Sequence, residues 1–495
     1  MKFSHRFVPL FLFACLVLPV QAATRGSLSI RNVHIITSHA QVSKRPVNVL
    51  IEGNRIRRIG SENFAAQRVI EGNGQYLIPG LIDTHVHLRD VPGLIGLEDN
   101  PEISKINQEA LAQIPKSYLY AGFTTVLDLA NSAEAIAKWN SQPIAPQAYF
   151  CSPVLIPNGY PVANMPESAR QSKEITRHYL HDTHSPKIAN MAEVDQHSPA
   201  SLVELGKKEG ARCIKVFYEK GFAGKNNLPT PSETTVRELV AVSHKNHLPV
   251  FLHGNSLESY EFGLATGVDM IVHGLWNASI KTDNQDLITI AKRLIKARIA
   301  VQPTVQVIYG EQEFFNPNFF KQAGLQHAIP GSLMVWYQSD AGQWMKKSIS
   351  SHFVSATPIS AEQLYQRVKA DYRPMLDRVK TISTELVQSK PLLVFGSDTP
   401  SGPFYTQFPG FNGREEMNRW LDMGISLEDL FKALTIENAR VMGLQSEIGS
   451  VERGKIANLL LLNKNPLKDI TAYDSINLVV LKGAPIQRET LSALH

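Results

Sequence analysis

Cysteine is nearly absent. Three occur in 495 residues, too few to staple a chain this long, so a disulfide framework is excluded. Net charge is also small: 50 Lys and Arg against 45 Asp and Glu leave +5. No basic run interleaved with aromatics occurs, so the sequence gives no reason to expect a nucleic-acid partner. Gly (31) and Pro (29) are scattered, and composition is 43% hydrophobic and 19% charged. That balance excludes a disordered, collagen-like or coiled-coil chain and implies a folded body. At roughly 150 residues per domain the length suggests about three domains, or fewer where a barrel of about 250 residues counts as one.

Residues 1–22 read as a leader rather than as fold. Lys2 and Arg6 precede an apolar run from Phe7 to Leu18, broken by Pro9, and Val20, Gln21 and Ala22 fit small-x-small cleavage. The run falls short of the roughly 20 apolar residues a membrane span needs. A secretory signal peptide cut after Ala22 is expected, with a secreted or periplasmic product and no membrane contact after cleavage. A retained anchor, and a lipoprotein signal through Leu12, Phe13, Ala14 and Cys15, are the weaker alternatives. Losing Lys2 and Arg6 brings the charge to +3. Cys151 and Cys213 lie in apolar runs, where two separated core thiols are the usual outcome; a bridge between them is left open.

From Gly26 to Val69 short β-branched runs alternate with Gly53, Asn54 and Gly60, and the same texture returns at Asn458–Leu462 and Leu478–Leu481. Between the two ends, apolar strands alternate with amphipathic stretches, the pattern of a parallel sheet with crossover helices. Eight strands are expected: Tyr76–His85, Thr124–Leu129, Ala148–Leu155, Cys213–Tyr218, Pro249–His253, Met270–His273, Ile299–Pro303 and Leu392–Asp398. Helices are expected over Ile106–Ala121, Ser232–Asn246 with a capping box at Thr235–Glu238, and Leu287–Ala297. The fold class is α/β, a (β/α)8 TIM barrel over 79–446 with a small β-sandwich domain built from both chain ends, 23–78 and 447–495. An aromatic-rich insertion at about 305–390 is a candidate lid over the C-terminal face.

Asp83-Thr84-His85-Val86-His87 closes the first strand, and two His at spacing two point the same way on an extended chain. Both can reach one ion at about 2.0–2.1 Å. Alone the pair is weak, since His also packs and hydrogen-bonds in cores and on surfaces. Lys215 in the fourth strand, His253 ending the fifth, His273 ending the sixth and Asp398 ending the eighth change the weight. A barrel gathers those strand ends on one rim. An ammonium among apolar residues is costly, and burial lowers its pKa. A neutral amine can add carbon dioxide, giving an anion with two oxygens suited to bridge two divalent ions. Asp398 is then placed to accept a proton from a bridging water.

Gly80–His87 (GLIDTHVH), Lys215, His253, His273, Ser397-Asp398 and the tail Thr435–Ile470 together resemble the metal-dependent amidohydrolase superfamily, in its imidazolonepropionase-like and prolidase-like branch with a carboxylated lysine. The resemblance covers nearly all of the chain after the leader. It implies two divalent metal ions, Zn by default: His85, His87 and Asp398 on one, His253 and His273 on the other, and Lys215 bridging as its carbamate, with Asp398 doubling as general base toward a metal-bound hydroxide. Two departures stand out: Asn458 occupies a position that is acidic in the family, and the tyrosine that polarises the scissile carbonyl in related dipeptidases has only Tyr218 as a nearby match, without its surrounding motif.

His178, His181 and His184 recur at spacing three and read as a hydrated helix face or loop rather than a second metal patch. His244 and His247 read as helix-end residues. The Gly-, Pro- and aromatic-rich loop Ser401–Phe411 abuts the centre and would shape the leaving-group side of a pocket. The expected function is a secreted hydrolase of a C–N amide bond in a small peptide, an N-acyl amino acid or a cyclic amide. The same centre acting on an ester, lactone or phosphotriester, and a non-catalytic metal- or substrate-binding protein, are the competing readings. A mononuclear deaminase would leave Lys215 without a purpose. A homo-oligomer is compatible with the sequence.

Overall fold

The computed structural model describes residues 26–88, 90–94, 97, 100–182, 194–222, 227–277, 283–350, 353, 359–389 and 392–495. The leader expected at 1–22 and His184 lie outside them. The N-terminal segment forms β1 (Ser27–Ile35), β2 (Val47–Glu52), β3 (Arg55–Gly60), β4 (Arg68–Glu71) and β5 (Tyr76–Pro79). The turn between β2 and β3 uses Gly53 at φ +59°, a conformation that costs a side-chain-bearing residue energy.

Seven strands follow: β6 (Leu81–Val86), β7 (Phe123–Asp128), β8 (Gln147–Val154), β9 (Cys213–Phe217), β10 (Val250–His253), β11 (Met270–Val272) and β12 (Ala300–Gln302). They form one parallel sheet in chain order. The crossovers are helices at Pro101–Tyr120, Ala133–Asn140, Pro199–Glu209, Glu233–Lys245, Leu257–Thr266 and Asn284–Ala297. Short polar residues open them: Asn100, Ser132, Ser198, Ser232, Ser256 and Asp283 each accept a first-turn N–H. The expected capping box starts three residues late, because Ser232 Oγ takes the Thr235 N–H at 3.3 Å and makes Thr235 an interior residue. The first crossover helix starts five residues before its expected bound: Asn100 caps it and Pro101 sits at its first turn, where apolar periodicity is silent.

The eighth expected strand, Leu392–Asp398, is not a continuous ladder. It makes one parallel bridge at each end, Leu393 to Val301 and Thr399 to Val86. Its hydrogen bonds reach both edges of the sheet: Val301 N–H donates to Leu392 O at 2.8 Å and Asp398 N–H to His85 O at 2.8 Å.

The C-terminal strands β13 (Leu459–Leu462), β14 (Ile476–Leu481) and β15 (Ala484–Gln487) join the N-terminal ones in an eight-stranded sheet, with β13 antiparallel to β5. The run Leu459–Leu462 is unbroken in apolarity because both of its faces are buried. Leu459 and Leu461 enter a core shared by β1, β2, β5 and β14. Leu460 and Leu462 face the main core around the parallel sheet.

The expected lid divides in two. Helix Ala361–Gln388 is the seventh crossover and contributes Val379, Ile382 and Leu386 to the main core. The part before it buries Phe314, Phe315, Phe319 and Tyr337 in the same core, so its aromatics form a packed wall, not the surface of a hinged cover.

Cys151 and Cys213 are bridged. They are register partners on neighbouring β8 and β9, inside the sheet's concave core, which brings their Cα atoms to 4.4 Å. The usual outcome of two separated thiols does not hold here. Alkylating the denatured, unreduced chain should leave both cysteines unlabelled, and reducing the bond should cost about 2–4 kcal/mol of stability in denaturant titrations. Full labelling before reduction would remove the bridge.

Candidate metal centre

Period-two alternation sets which side chains reach the inside of the sheet. On β9, Cys213 belongs to the inner core while Ile214, Val216 and Tyr218 belong to the outer one. Lys215, Phe217 and Glu219 therefore share the inner face, and Tyr218 lies on the other. The Tyr218 hydroxyl donates to Glu258 Oε1 at 3.0 Å and its ring packs on Phe262 at 4.4 Å. Tyr218 thus belongs to the helix-packing face, against the catalytic role expected of it. The phenol beside the imidazoles is Tyr160, whose ring centroid is 4.6 Å from that of His253.

His85 Nε2 and His87 Nε2 converge on one atom, Asp398 Oδ1, at 3.0 and 3.1 Å. The three residues' donor atoms lie within 4.8 Å of one another and can hold a metal ion. His253 Nδ1 and His273 Nε2 form a second pair, 2.9 Å apart. The pairs adjoin: the His85 and His273 ring centroids are 5.3 Å apart, and His273 Nδ1 is 3.7 Å from Asp398 Oδ2. Two residues are held in the left-handed region, Asp398 at φ +54° and His273 at φ +90°. Such strain costs about 1–3 kcal/mol each and concentrates at functional sites. For His273 it is stabilised by its N–H on Gln302 O (2.8 Å), by the Tyr260 hydroxyl on its carbonyl (2.9 Å), and by Thr304 Oγ1 on Nδ1 (2.9 Å).

Lys215 is 2% exposed, and its Nζ has no hydrogen-bond partner among the described residues. Burial pulls its pKa down to about 7, partly opposed by the negative charge of Asp398. Its charge in turn helps to depress His85, His253 and His273, for which burial is the leading cause. His85 falls to about 4. Asp398 is held well below the usual carboxylate range: burial pushes it up, but the charge of His85, the hydrogen bonds of His85 and His87 and the charge of His273 outweigh that. A buried amine and a buried His85 Nδ1, both without partners among the described residues, beside His85, His253 and His273 rings biased toward their neutral, ligating form, fit a cation site. The donor set, imidazole and carboxylate, suits a divalent transition metal.

Sequence reading missed Tyr160, Glu219, Thr304 and Trp276. Glu219 was reachable, since it lies two positions beyond Phe217 on Lys215's face. Tyr160 lies in the loop after β8, where no spacing rule singles it out. Trp276 stacks on His273 with centroids 5.0 Å apart. His178 is buried, 4% exposed, and not on a hydrated face. His244 bonds Asp269 Oδ2 at 2.9 Å beside the end of its helix. The loop Ser401–Phe411 is tied into the insertion: Gln407 Nε2 donates to Val307 O at 3.0 Å, and Tyr405 packs edge-on against Phe314 at 4.6 Å.

Residues 76–291 and 372–486 match the amidohydrolase family, more than half of the chain. This protein belongs to that family. Among curated proteins it is similar to the dihydroorotase of Pediococcus pentosaceus, 40% identical over 103 residues, 21% of each chain. It is also similar to that of Syntrophotalea carbinolica, 24% identical over 274 residues, 53% of this chain and 52% of the relative. These matches span from about a fifth to half of the relatives' length. Among solved structures it is similar to a Xaa-Pro dipeptidase with bound methionine, with a TM-score of 0.61 and 17% identity over 93% of this chain and 100% of the other. It is likewise similar to the ochratoxinase of A. niger, with a TM-score of 0.61 and 16% identity over 93% and 95%. At that identity the likeness concerns the fold.

Replacing His87 by Ala should weaken divalent-ion binding at the first pair at least tenfold, read by equilibrium dialysis and elemental analysis. Retained affinity would remove His87 from the ligand set.

Proposed function

We propose that the chain is a secreted, binuclear amidohydrolase that adds water across an amide C–N bond of a small peptide, an N-acyl amino acid or a cyclic amide. The observation that carries this is the double convergence of donors: two imidazoles on Asp398, two more on each other, and a buried, unpartnered amine coupled to both pairs. Two divalent ions held there, Zn by donor type, would lower the pKa of a water and polarise a carbonyl.

The chain's own groups do the rest. Lys215, its pKa pulled down to about 7 so that a substantial share is the free amine near neutrality, forms a bond from Nζ to the carbon of carbon dioxide and releases a proton, becoming an anionic ligand with two oxygens. Asp398 takes a proton from the attacking water at its carboxylate and passes it to the leaving nitrogen, giving a carboxylate and an amine. Tyr160 shows no hydroxyl partner among the described residues; it faces the charges of Asp398 and Glu219, and burial raises its pKa, so it keeps its proton and donates to the carbonyl oxygen. Phe217 and Tyr160 flank His253, and Trp276 flanks His273, giving that side of the site an apolar wall.

The similar proteins, dihydroorotases on one side and a Xaa-Pro dipeptidase on the other, support the amide class. The bridges of Leu393 and Thr399 to opposite sheet edges support Leu392–Asp398 as the eighth stave of a closed (β/α)8 barrel. The core shared by strands from both chain ends supports a composite sandwich domain of 23–78 and 447–495. The Cys151–Cys213 bridge supports an oxidising compartment, in line with the leader.

The test is turnover of dipeptide, N-acyl amino acid and cyclic amide libraries by metal-analysed protein. Turnover confined to esters or phosphotriesters would overturn the C–N assignment. Asp398→Ala should lower kcat by roughly 10²–10⁴-fold. Tyr160→Phe should lower it by about 10²–10³-fold, and Tyr218→Phe should leave it near the wild-type value. Lys215→Ala should lose activity and regain part of it with a short carboxylate; unaltered activity and metal content would discard the bridging lysine.

A further inference from the structure

Glu219 is 4% exposed and lies on the inner face two positions beyond Phe217. An ionised carboxylate has no proton to give, so its polar neighbours must donate to it. Gly221 N–H donates to Oε1 at 2.8 Å and Asn255 Nδ2 to Oε2 at 2.9 Å. His253 Nε2 lies 3.4 Å from that same Oε2. With Glu219 accepting, the His253 proton sits on Nε2 and Nδ1 is the acceptor nitrogen, taking the hydrogen bond from His273 Nε2. That Nδ1 is the atom 2.9 Å from His273 Nε2, while His273 Nδ1 is engaged by Thr304. A hydrogen bond closes the pair, and a cation beside both nitrogens would replace it while the partners on their far sides stay engaged.

Charge completes the argument. Asp398 is the one carboxylate among the six expected ligands, and it serves His85 and His87. His253 and His273 bring no charge of their own. Besides Asp398, whose Oδ2 is 3.7 Å from His273 Nδ1, the buried carboxylate beside them is Glu219.

We propose that Glu219 is the positioning residue of the second ion: it orients His253 Nδ1 toward a divalent cation and adds negative charge at the His253–His273 pair beyond the share that pair would have of a bridging Lys215 carbamate. The inference rests on the binuclear reading above. Outer partners of this kind are worth about 10–100-fold in metal affinity. Glu219→Gln keeps the volume and an acceptor for Gly221 but removes the charge; Glu219→Asp keeps the charge on a shorter stem.

Ion-free wild type and both variants are dialysed against graded free Zn²⁺, and bound ions are counted by elemental analysis. Wild type should take up two ions, Glu219→Gln should hold the first normally and the second 10–100-fold more weakly, and Glu219→Asp should recover part of the loss. Equal binding of the second ion by wild type and Glu219→Gln overturns the role of Glu219 and leaves the binuclear reading standing. A wild type that saturates at one ion overturns both.

Discussion

Everything at the centre depends on a seam between β6 and the segment Leu392–Thr399, more than 300 residues apart in the chain. Regular ladder bonds are sparse there, and buried side chains replace them. Asp83 accepts the Ser397 N–H at 3.0 Å, the Ser397 hydroxyl at 2.5 Å and the His85 N–H at 3.1 Å. Asn438 donates to both Ile82 O and Phe395 O, at 2.8 and 2.9 Å, and Thr84 donates to Phe395 O at 2.7 Å. At Gly396 a side chain would collide with Gln302 and with His85. Since buried backbone groups must be paired somewhere, these residues satisfy the seam and in doing so fix Asp398 against the two imidazoles of β6. Burial pushes the Asp83 carboxyl up to about 7, against the donors that favour its ionised form. Its role is to hold strands together, although it stands in the same pentapeptide as the ligands.

The electrostatics follow from that placement. Four imidazoles, an amine and a carboxylate share a nearly water-free interior, where isolated charges are costly. Burial biases His85, His253, His273 and Lys215 toward neutrality, while Asp398 stays ionised. His87 is the exception: burial would lower it, but Asp398 and Asp128 outweigh burial and raise it. The cluster is therefore rich in lone pairs and poor in cations, the opposite of what packing alone would select.

The gathering of His85, His87, Lys215, His253, His273 and Asp398 was legible because a polar residue terminating an apolar run has few structural reasons to exist, and a parallel sheet in chain order places such ends on one rim. The terminal sheet was legible from the likeness of its two texts. Three features were not. Leu392–Asp398 reads as a strand by composition, yet its pairing is carried by Asp83, Thr84 and Asn438, whose roles are tertiary. Tyr218 was favoured by nearness in the text, although alternation from Lys215 sends it outward and Glu219 inward. The insertion's aromatics signal burial equally well as a wall or as a cover, and only the contacts of Phe314, Phe319 and Tyr337 decide.

Those contacts also determine how a substrate meets the centre. His87 is the open ligand: its side chain is 32% exposed, against 6% or less for His85, His253, His273 and Asp398. Approach is therefore from the His87 side, past the loop that follows β6. That loop is anchored to the insertion, since the Tyr337 hydroxyl donates to Pro92 O at 2.5 Å and Trp344 Nε1 to Gly93 O at 3.0 Å. The metal ligands stand on strand ends braced by the seam, whereas the entrance is framed by a loop and a helical insertion packed on each other. The donors and the loop beside His87 thus rest on separate supports, the seam to Leu392–Thr399 for the one and the helical insertion for the other.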